Sequence, residues 1–367
     1  LHVVRTRSKD GKPVALMDGW IPPPYAANVT RKGLARKSLH ELIAGGFDRL
    51  GRVAQEVNAA LAAPIVAEGL KVELNSAVLR TTRMVHHRDG ATVYFATNRI
   101  VNDPPDRTSS YTHNIVSPMR PQDITYGTAF VNSANLTADT VGAITSIRDL
   151  QQGGFAQSTV DDLSAGTRDI LVFIHGFANS FENAITRAAF NREWLFEGGA
   201  DTAVVAFSWP SRGHVIEPPF PSFAYRWDQT TAGQSGPAIM AFLANLLPIV
   251  EAARARGRRV FLLAHSMGNW ALQSAVETWF AHGNGDAFLF HEAVLAAADE
   301  VADSFDFGPF GRLSGLGRLA RRISIYYSRA DRVLDDLSQT INGNQRLGQD
   351  GPRDRTDHDL SLKLVGA

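Results

Sequence analysis

A chain of 367 residues is long enough for one large domain, or for a core carrying an extension. Lysine plus arginine and aspartate plus glutamate balance at 37 each, which excludes a strong electrostatic attraction to nucleic acid or to an anionic membrane. Cysteine is absent, so disulfides, thiolate metal ligands and a cysteine nucleophile are excluded as well.

The 44% hydrophobic content is that of an ordinary globular protein, and no apolar run reaches the length expected of a membrane span. The first residue is Leu1 rather than methionine, as in a trimmed or mature form. The compartment is left open, with association to the cell envelope expected if a targeting segment preceded Leu1.

Residues 1–37 carry Pro22-Pro23-Pro24 and scattered basic residues with little periodicity, and read as an irregular arm. Ser38 and Glu41 have capping-box spacing, and Phe47, Leu50, Val53, Val57 and Leu61 recur at helical intervals, so a helical extension is expected there. Residues 1–90 are expected to form this N-terminal arm and extension, and the main domain is expected over 91–367. Thr92–Thr97 and Tyr126–Val131 read as strands, and a polar linker covers about 151–164.

From about residue 168 the pattern becomes regular. Ile170–Ile174, Ala203–Phe207, Val260–Leu263, Ala293–Ala297 and Ile323–Tyr327 are apolar throughout and read as buried strands. Helical patterns over Phe181–Phe196, Ala232–Ala255 and Trp270–Ala281 separate the first four. Continuous apolar strands alternating with helices indicate an α/β fold, its parallel sheet covered on both faces. Ligands of such sheets bind at the carboxyl ends of the strands.

The strand at 260–263 runs into Ala264-His265-Ser266-Met267-Gly268 and then at once into a helix. A strand that ends abruptly in a helix forces a sharp turn that lifts the Ser266 hydroxyl above the sheet edge. Small residues two before and two after the serine let strand and helix approach closely, and Ala264 serves where a glycine is usual. After the first strand comes His175-Gly176-Phe177, whose glycine lets the Phe177 amide turn into a cleft. The Met267 amide is the natural second donor of an oxyanion hole.

Asp331 follows the last strand and Asp299 the one before it, and either can orient a histidine. Only His282, His291 and His358 follow Ser266, and His358 alone comes after both acids. His265 is expected to face the opposite side of the turn and to be structural.

These segments together resemble the alpha/beta-hydrolase family, in an esterase-like bacterial branch of unknown function. The resemblance is carried by Leu171–Phe177, Phe207-Ser208-Trp209-Pro210-Ser211, Ala264–Asn269 and Tyr326–Asp331, with Tyr94–Arg99 and Thr125-Tyr126-Gly127 as leading strands. It covers about residues 92–360. It implies the α/β-hydrolase fold, a mostly parallel central sheet covered by helices on both faces, here with an N-terminal extension. It also implies a Ser266–Asp331–His358 triad with an oxyanion hole at Phe177 and Met267.

The expected chemistry is acyl transfer to water through an acyl-enzyme, with no metal and no organic cofactor implied. Residues 210–230 and 304–318 are possible cap loops. Trp209, Phe220, Phe223 and Trp270 are candidates to line an apolar pocket, which makes hydrophobic esters the expected substrates. Partners are thus a small-molecule or lipid-like ester and, through the N-terminal arm, a second copy of the chain. A binding or envelope scaffold that keeps the fold without catalysis, and a serine peptidase or acyltransferase using the same triad, are the alternatives.

Overall fold

Asp10 and Gly11 both sit at positive φ, 51° and 74°, as a two-residue hairpin loop of the primed type requires. They join β1 (His2–Lys9) to β2 (Lys12–Trp20) in an antiparallel pair. The computed structural model describes residues 1–21, 26, 28–43, 50–87, 90–117, 120–132, 136, 143–215, 222–306, 312–354 and 364–366. Two compact units divide it, Leu1–Gly90 and Ala91–Ala367.

In the first unit, the irregular arm expected over 1–37 is corrected to this hairpin followed by α1 (Arg31–Leu34). The capping box is present: Ser38 N donates to Glu41 Oε2 at 2.7 Å and Glu41 N to Ser38 Oγ at 3.3 Å. Its helix α2 (Leu39–Leu42) lasts a single turn. The helical extension beyond it is corrected to β3 (Leu50–Leu61), which pairs antiparallel with β4 (Ala77–His87) across α3 (Pro64–Leu70). The reason lies in the spacing. Val53, Val57 and Leu61 recur every fourth residue, and four residues are two strand periods as well as roughly one helical turn. Branched valines then tip the choice to the strand.

The second unit begins with β5 (Ala91–Thr97), the small hairpin β6 (Arg99–Val101) and β7 (Tyr111–Ile115), then β8 (Thr125–Val131) and β9 (Ile144–Gln152). There follow α4 (Gln157–Ala165), β10 (Asp169–Ile174), α5 (Phe181–Glu197), β11 (Thr202–Ser208), α6 (Ser222–Gln234) and α7 (Gly236–Ala255). The chain continues through β12 (Val260–His265), α8 (Gly268–Ala281), β13 (Glu292–Ala296), β14 (Ile323–Tyr326), α9 (Thr340–Asn342), α10 (Leu347–Asp350) and β15 (Leu364–Gly366).

Among the described residues these strands, apart from the separate β6–β7 pair, form one nine-stranded sheet in the order β15-β14-β13-β12-β10-β11-β5-β8-β9. Every pairing from β15 to β5 is parallel, and β8 is antiparallel to both its neighbours. Alternate residues of one strand enter different cores. Ile170, Val172 and Ile174 pack with α7 and α8, while Leu171 and Phe173 pack with α5. A strand buried on both faces favours apolar residues at successive positions, which is why these segments read as largely apolar runs.

Three expectations need correction here. The polar linker at 151–164 contains the end of β9 and most of α4. The cap loop at 210–230 is helical from Ser222 onward, with residues 216–221 outside the described set. The cap loop at 304–318 has Leu313 and Leu316 wholly buried in the core, and residues 307–311 lie outside the described set. Separately, α7 is long and apolar enough by length and composition to cross a membrane, contrary to the sequence reading. Its Ala238, Ile239, Phe242 and Leu243 are instead fully buried against the sheet and α8.

Candidate active site

Two residues separate the end of β12 from the start of α8, and the first of them, Ser266, has φ 50°. A side chain in the left-handed region is strained by about 1–2 kcal/mol. The surroundings hold it there. Ser266 N donates to Ala296 O at 2.9 Å, and Ser266 O accepts from Asn269 N, Asn269 Nδ2 and Asp299 N at 3.0, 3.0 and 3.1 Å. A Cβ on Gly268 would fall 2.5 Å from His175 O, so only glycine lets the helix start that close to β10. Ala178 and Ala297 also have positive φ, 57° and 46°. All three strained residues lie just past β10, β12 and β13, on the carboxyl edge of the sheet. Such clustering is typical of functional sites.

Beside the serine runs the loop from His175 to Ser180. A Cβ on Gly176 would lie 2.8 Å from Ser266 Cβ and 2.9 Å from His265 O. Among the described residues, neither the Phe177 nor the Met267 amide donates a hydrogen bond. Buried polar groups that sequence reading missed fix the loop. Asp228, fully buried on α6, accepts from Ala178 N at 3.2 Å, from Arg212 N at 2.9 Å and from the Ser211 hydroxyl. Burial raises its pKa, opposed by these donors and by Arg99. Arg99, also buried, donates to Ser208 Oγ, Ser211 O and Asn179 O, each at 3.0 Å. Burial lowers its pKa to about 9, which Asp228 opposes.

Signals for both existed. Arg99 is a lone charge directly behind an apolar strand, and Asp228 falls on the stripe Tyr225, Asp228, Thr231, Ala232 that α6 buries.

His175 is buried with Nδ1 2.9 Å from Gly176 O and Nε2 3.1 Å from Trp209 O. Burial and the Arg99 charge lower its pKa to about 3, so the ring is neutral and has one proton for two carbonyls. His265 is exposed, yet the crowding around its ring and the charge of Arg187 lower its pKa to about 4, with Asp331 acting the other way. His358 lies outside the described residues. Arg353 N bonds Ala302 O near the carboxyl edge, and Leu364 next opens β15 at the opposite edge.

The two candidate acids differ sharply. Asp331 is half-buried, and its Oδ1 accepts from Val333 N and Leu334 N at 3.0 and 3.1 Å, capping the helical turn that follows. Asp299 is buried, and both its oxygens are engaged. Oδ1 takes Arg346 Nε at 3.0 Å, Arg346 Nη2 at 2.6 Å and the Ser338 hydroxyl, while Oδ2 takes Tyr225 OH at 2.8 Å. Arg346 itself is fully buried, so this is an ion pair inside the fold directly behind the serine turn. Next to it Glu300, also fully buried, has its pKa pushed up to about 7 by burial.

Of the pocket-lining candidates, Trp209 is corrected. It is wholly buried, donates Nε1–H to His175 O at 2.7 Å and stacks on the His175 ring at 4.8 Å, so it supports the loop from within. Phe223 is exposed, with the Arg212 guanidinium 5.7 Å from its ring. Trp270 is half-buried, with Arg312 at 5.2 Å. Phe220 lies outside the described residues. Tyr225 meets the Phe177 ring edge-on at 5.6 Å. Among the described residues no group of three or more His, Asp or Glu is placed to hold a metal ion.

A strained serine at the carboxyl edge of the sheet, neighbouring amides that donate no hydrogen bond among the described residues, and a frame of buried polar groups make up the candidate site. Comparison with known proteins bears on the fold. Residues 1–104 match the UTRA domain. An uncharacterized protein of Nostoc sp. strain PCC 7120 is 28% identical over a segment that covers 36% of this chain and 38% of that relative. Residues 155–363, more than half of the chain, match the family described as alpha/beta hydrolase of unknown function, DUF900. With the doubly covered parallel sheet and the serine turn at its carboxyl edge, the chain belongs to this alpha/beta-hydrolase family.

Proposed function

We propose that the second unit is a serine hydrolase of carboxylic esters with Ser266 as nucleophile. The observation that carries this reading is the left-handed Ser266 packed against Gly176, next in the chain to the Phe177 and Met267 amides, which donate no hydrogen bond among the described residues. A strained turn of this kind is most easily made by glycine, so a serine there is held at a conformational cost.

In the proposed reaction His358 takes the Ser266 proton as Oγ attacks the ester carbonyl carbon. The two amides hold the resulting oxyanion, and the alcohol leaves with the proton returned by the imidazole. Water activated by the same imidazole then hydrolyses the acyl-enzyme, releasing the acid and free Ser266. Asp331 orients the imidazole. It is preferred to Asp299 because both Asp299 oxygens are already bonded within the fold. Phe223 and Trp270 present aromatic surface to the substrate, each with an arginine against it, which favours hydrophobic esters.

A fluorophosphonate probe tests the reading. It should label Ser266, and Ser266→Ala should lose labelling together with about 10⁶-fold of the hydrolysis of aryl esters. Hydrolysis surviving in that variant would overturn the assignment. An unlabelled wild type would favour the non-catalytic scaffold.

A further inference from the structure

Resting on the hydrolase reading, we infer that Asn179 is the positioning residue that aims the Phe177 amide into the oxyanion hole. A trans peptide is planar, so its C=O and N–H point in opposite directions. In the peptide between Phe177 and Ala178, the carbonyl accepts from Asn179 Nδ2 at 2.8 Å and the N–H donates to Asp228 Oδ2 at 3.2 Å on the other side. The peptide before it, between Gly176 and Phe177, has its carbonyl on the same Asn179 nitrogen at 3.0 Å. Its N–H, that of Phe177, is therefore turned away from Asn179, and it is the one left unbonded among the described residues.

The close approach of Gly176 to the Ser266 Cβ displays that N–H beside the nucleophile. A carboxamide nitrogen carries two protons, and here each has a carbonyl. Its oxygen in the same place would face both carbonyls with no proton to give. The residue is fixed from three sides, because Asn179 N also donates to Ser211 Oγ at 2.9 Å and Asn179 O accepts from Arg99 at 3.0 Å. His175 does not replace it, since its neutral ring has one proton and its two nitrogens face Gly176 O and Trp209 O, not the Phe177 carbonyl that Asn179 holds.

An unaimed peptide can rotate its carbonyl toward the serine and remove the donor. The rate then falls as when an oxyanion donor is deleted, while ground-state binding, which does not use that donor, is retained. The test compares the wild-type chain with Asn179→Ala and with Asn179→Asp, which keeps the shape and loses both protons. Turnover of p-nitrophenyl acetate is measured per active site titrated with a fluorophosphonate, so unfolded protein does not count. The inference expects kcat per titrated site to fall by about 10²-fold in both variants with KM little changed.

A purely structural role would lower the melting temperature and the titratable fraction and leave kcat per site at the wild-type value. That outcome overturns the inference. Failure of the wild type itself to label at Ser266 would instead dispose of the hydrolase reading, so the two failures are distinguishable.

Discussion

Gly176 and Ser266 approach so closely that a methyl group on the glycine would sit 2.8 Å from the serine Cβ, closer than side-chain carbons pack. The second obstacle at that point is the His265 carbonyl at 2.9 Å, which is backbone and cannot rotate away. Overpacking of this kind costs about 1–3 kcal/mol. Gly176→Ala should therefore lower stability by that amount, and by displacing the Phe177 amide should reduce kcat by about 10²–10³-fold. Urea unfolding and aryl-ester turnover check both halves, and wild-type values in either would show that the loop yields more easily than its packing indicates.

Ser266 is held at φ 50° by backbone bonds with Ala296, Asn269 and Asp299. Replacing it by glycine relieves a left-handed side chain and should stabilise the fold by about 1 kcal/mol. The same change should abolish ester hydrolysis. A less stable Ser266→Gly variant would mean that the turn is not strained.

Asp331 and Asp299 are separated by opposite responses to the same substitution. Asp331→Asn keeps a capping acceptor for Val333 N and Leu334 N, so stability should hold, while loss of the orienting charge should lower kcat by about 10⁴-fold. Asp299→Asn strands the buried Arg346 charge and should cost about 3–5 kcal/mol of stability. Chemical denaturation beside steady-state kinetics reads both effects. The reverse pattern would move the orienting acid to Asp299.

Glu300 supplies a pH dependence of stability. Its folded pKa, about 7, lies above the ordinary carboxyl value of 4.5 because the side chain is buried. A carboxyl raised in this way binds its proton more tightly when folded, so its contribution is greatest at low pH. Stability then declines as the pH climbs from about 4.5 to about 7 and is flat above, an effect on the order of 3 kcal/mol. Glu300→Gln should flatten the decline in melting temperature over that range. A slope unchanged by the substitution would assign it to other groups.

The sequence alone determined the parallel sheet and the place of its serine turn. Residues such as Leu171, Val172 and Phe173 enter different cores on alternating faces, and two-sided burial leaves an apolar run that reads without coordinates. The Ser266 bend was legible because strand, small residues and helix follow one another locally along the chain. In the first unit local reading found the Ser38–Glu41 capping box but took β3 for a helix, because a four-residue apolar spacing suits strand and helix alike.

Only the tertiary structure decided which groups brace the site. Asp228 reaches Ala178 across 50 positions and Arg346 reaches Asp299 across 47, joined by burial rather than by any periodic signal. A buried polar group must find a partner wherever the fold places one. Which partner that is depends on the packing of α6 and α10 over the sheet edge, and no local pattern in the chain encodes it.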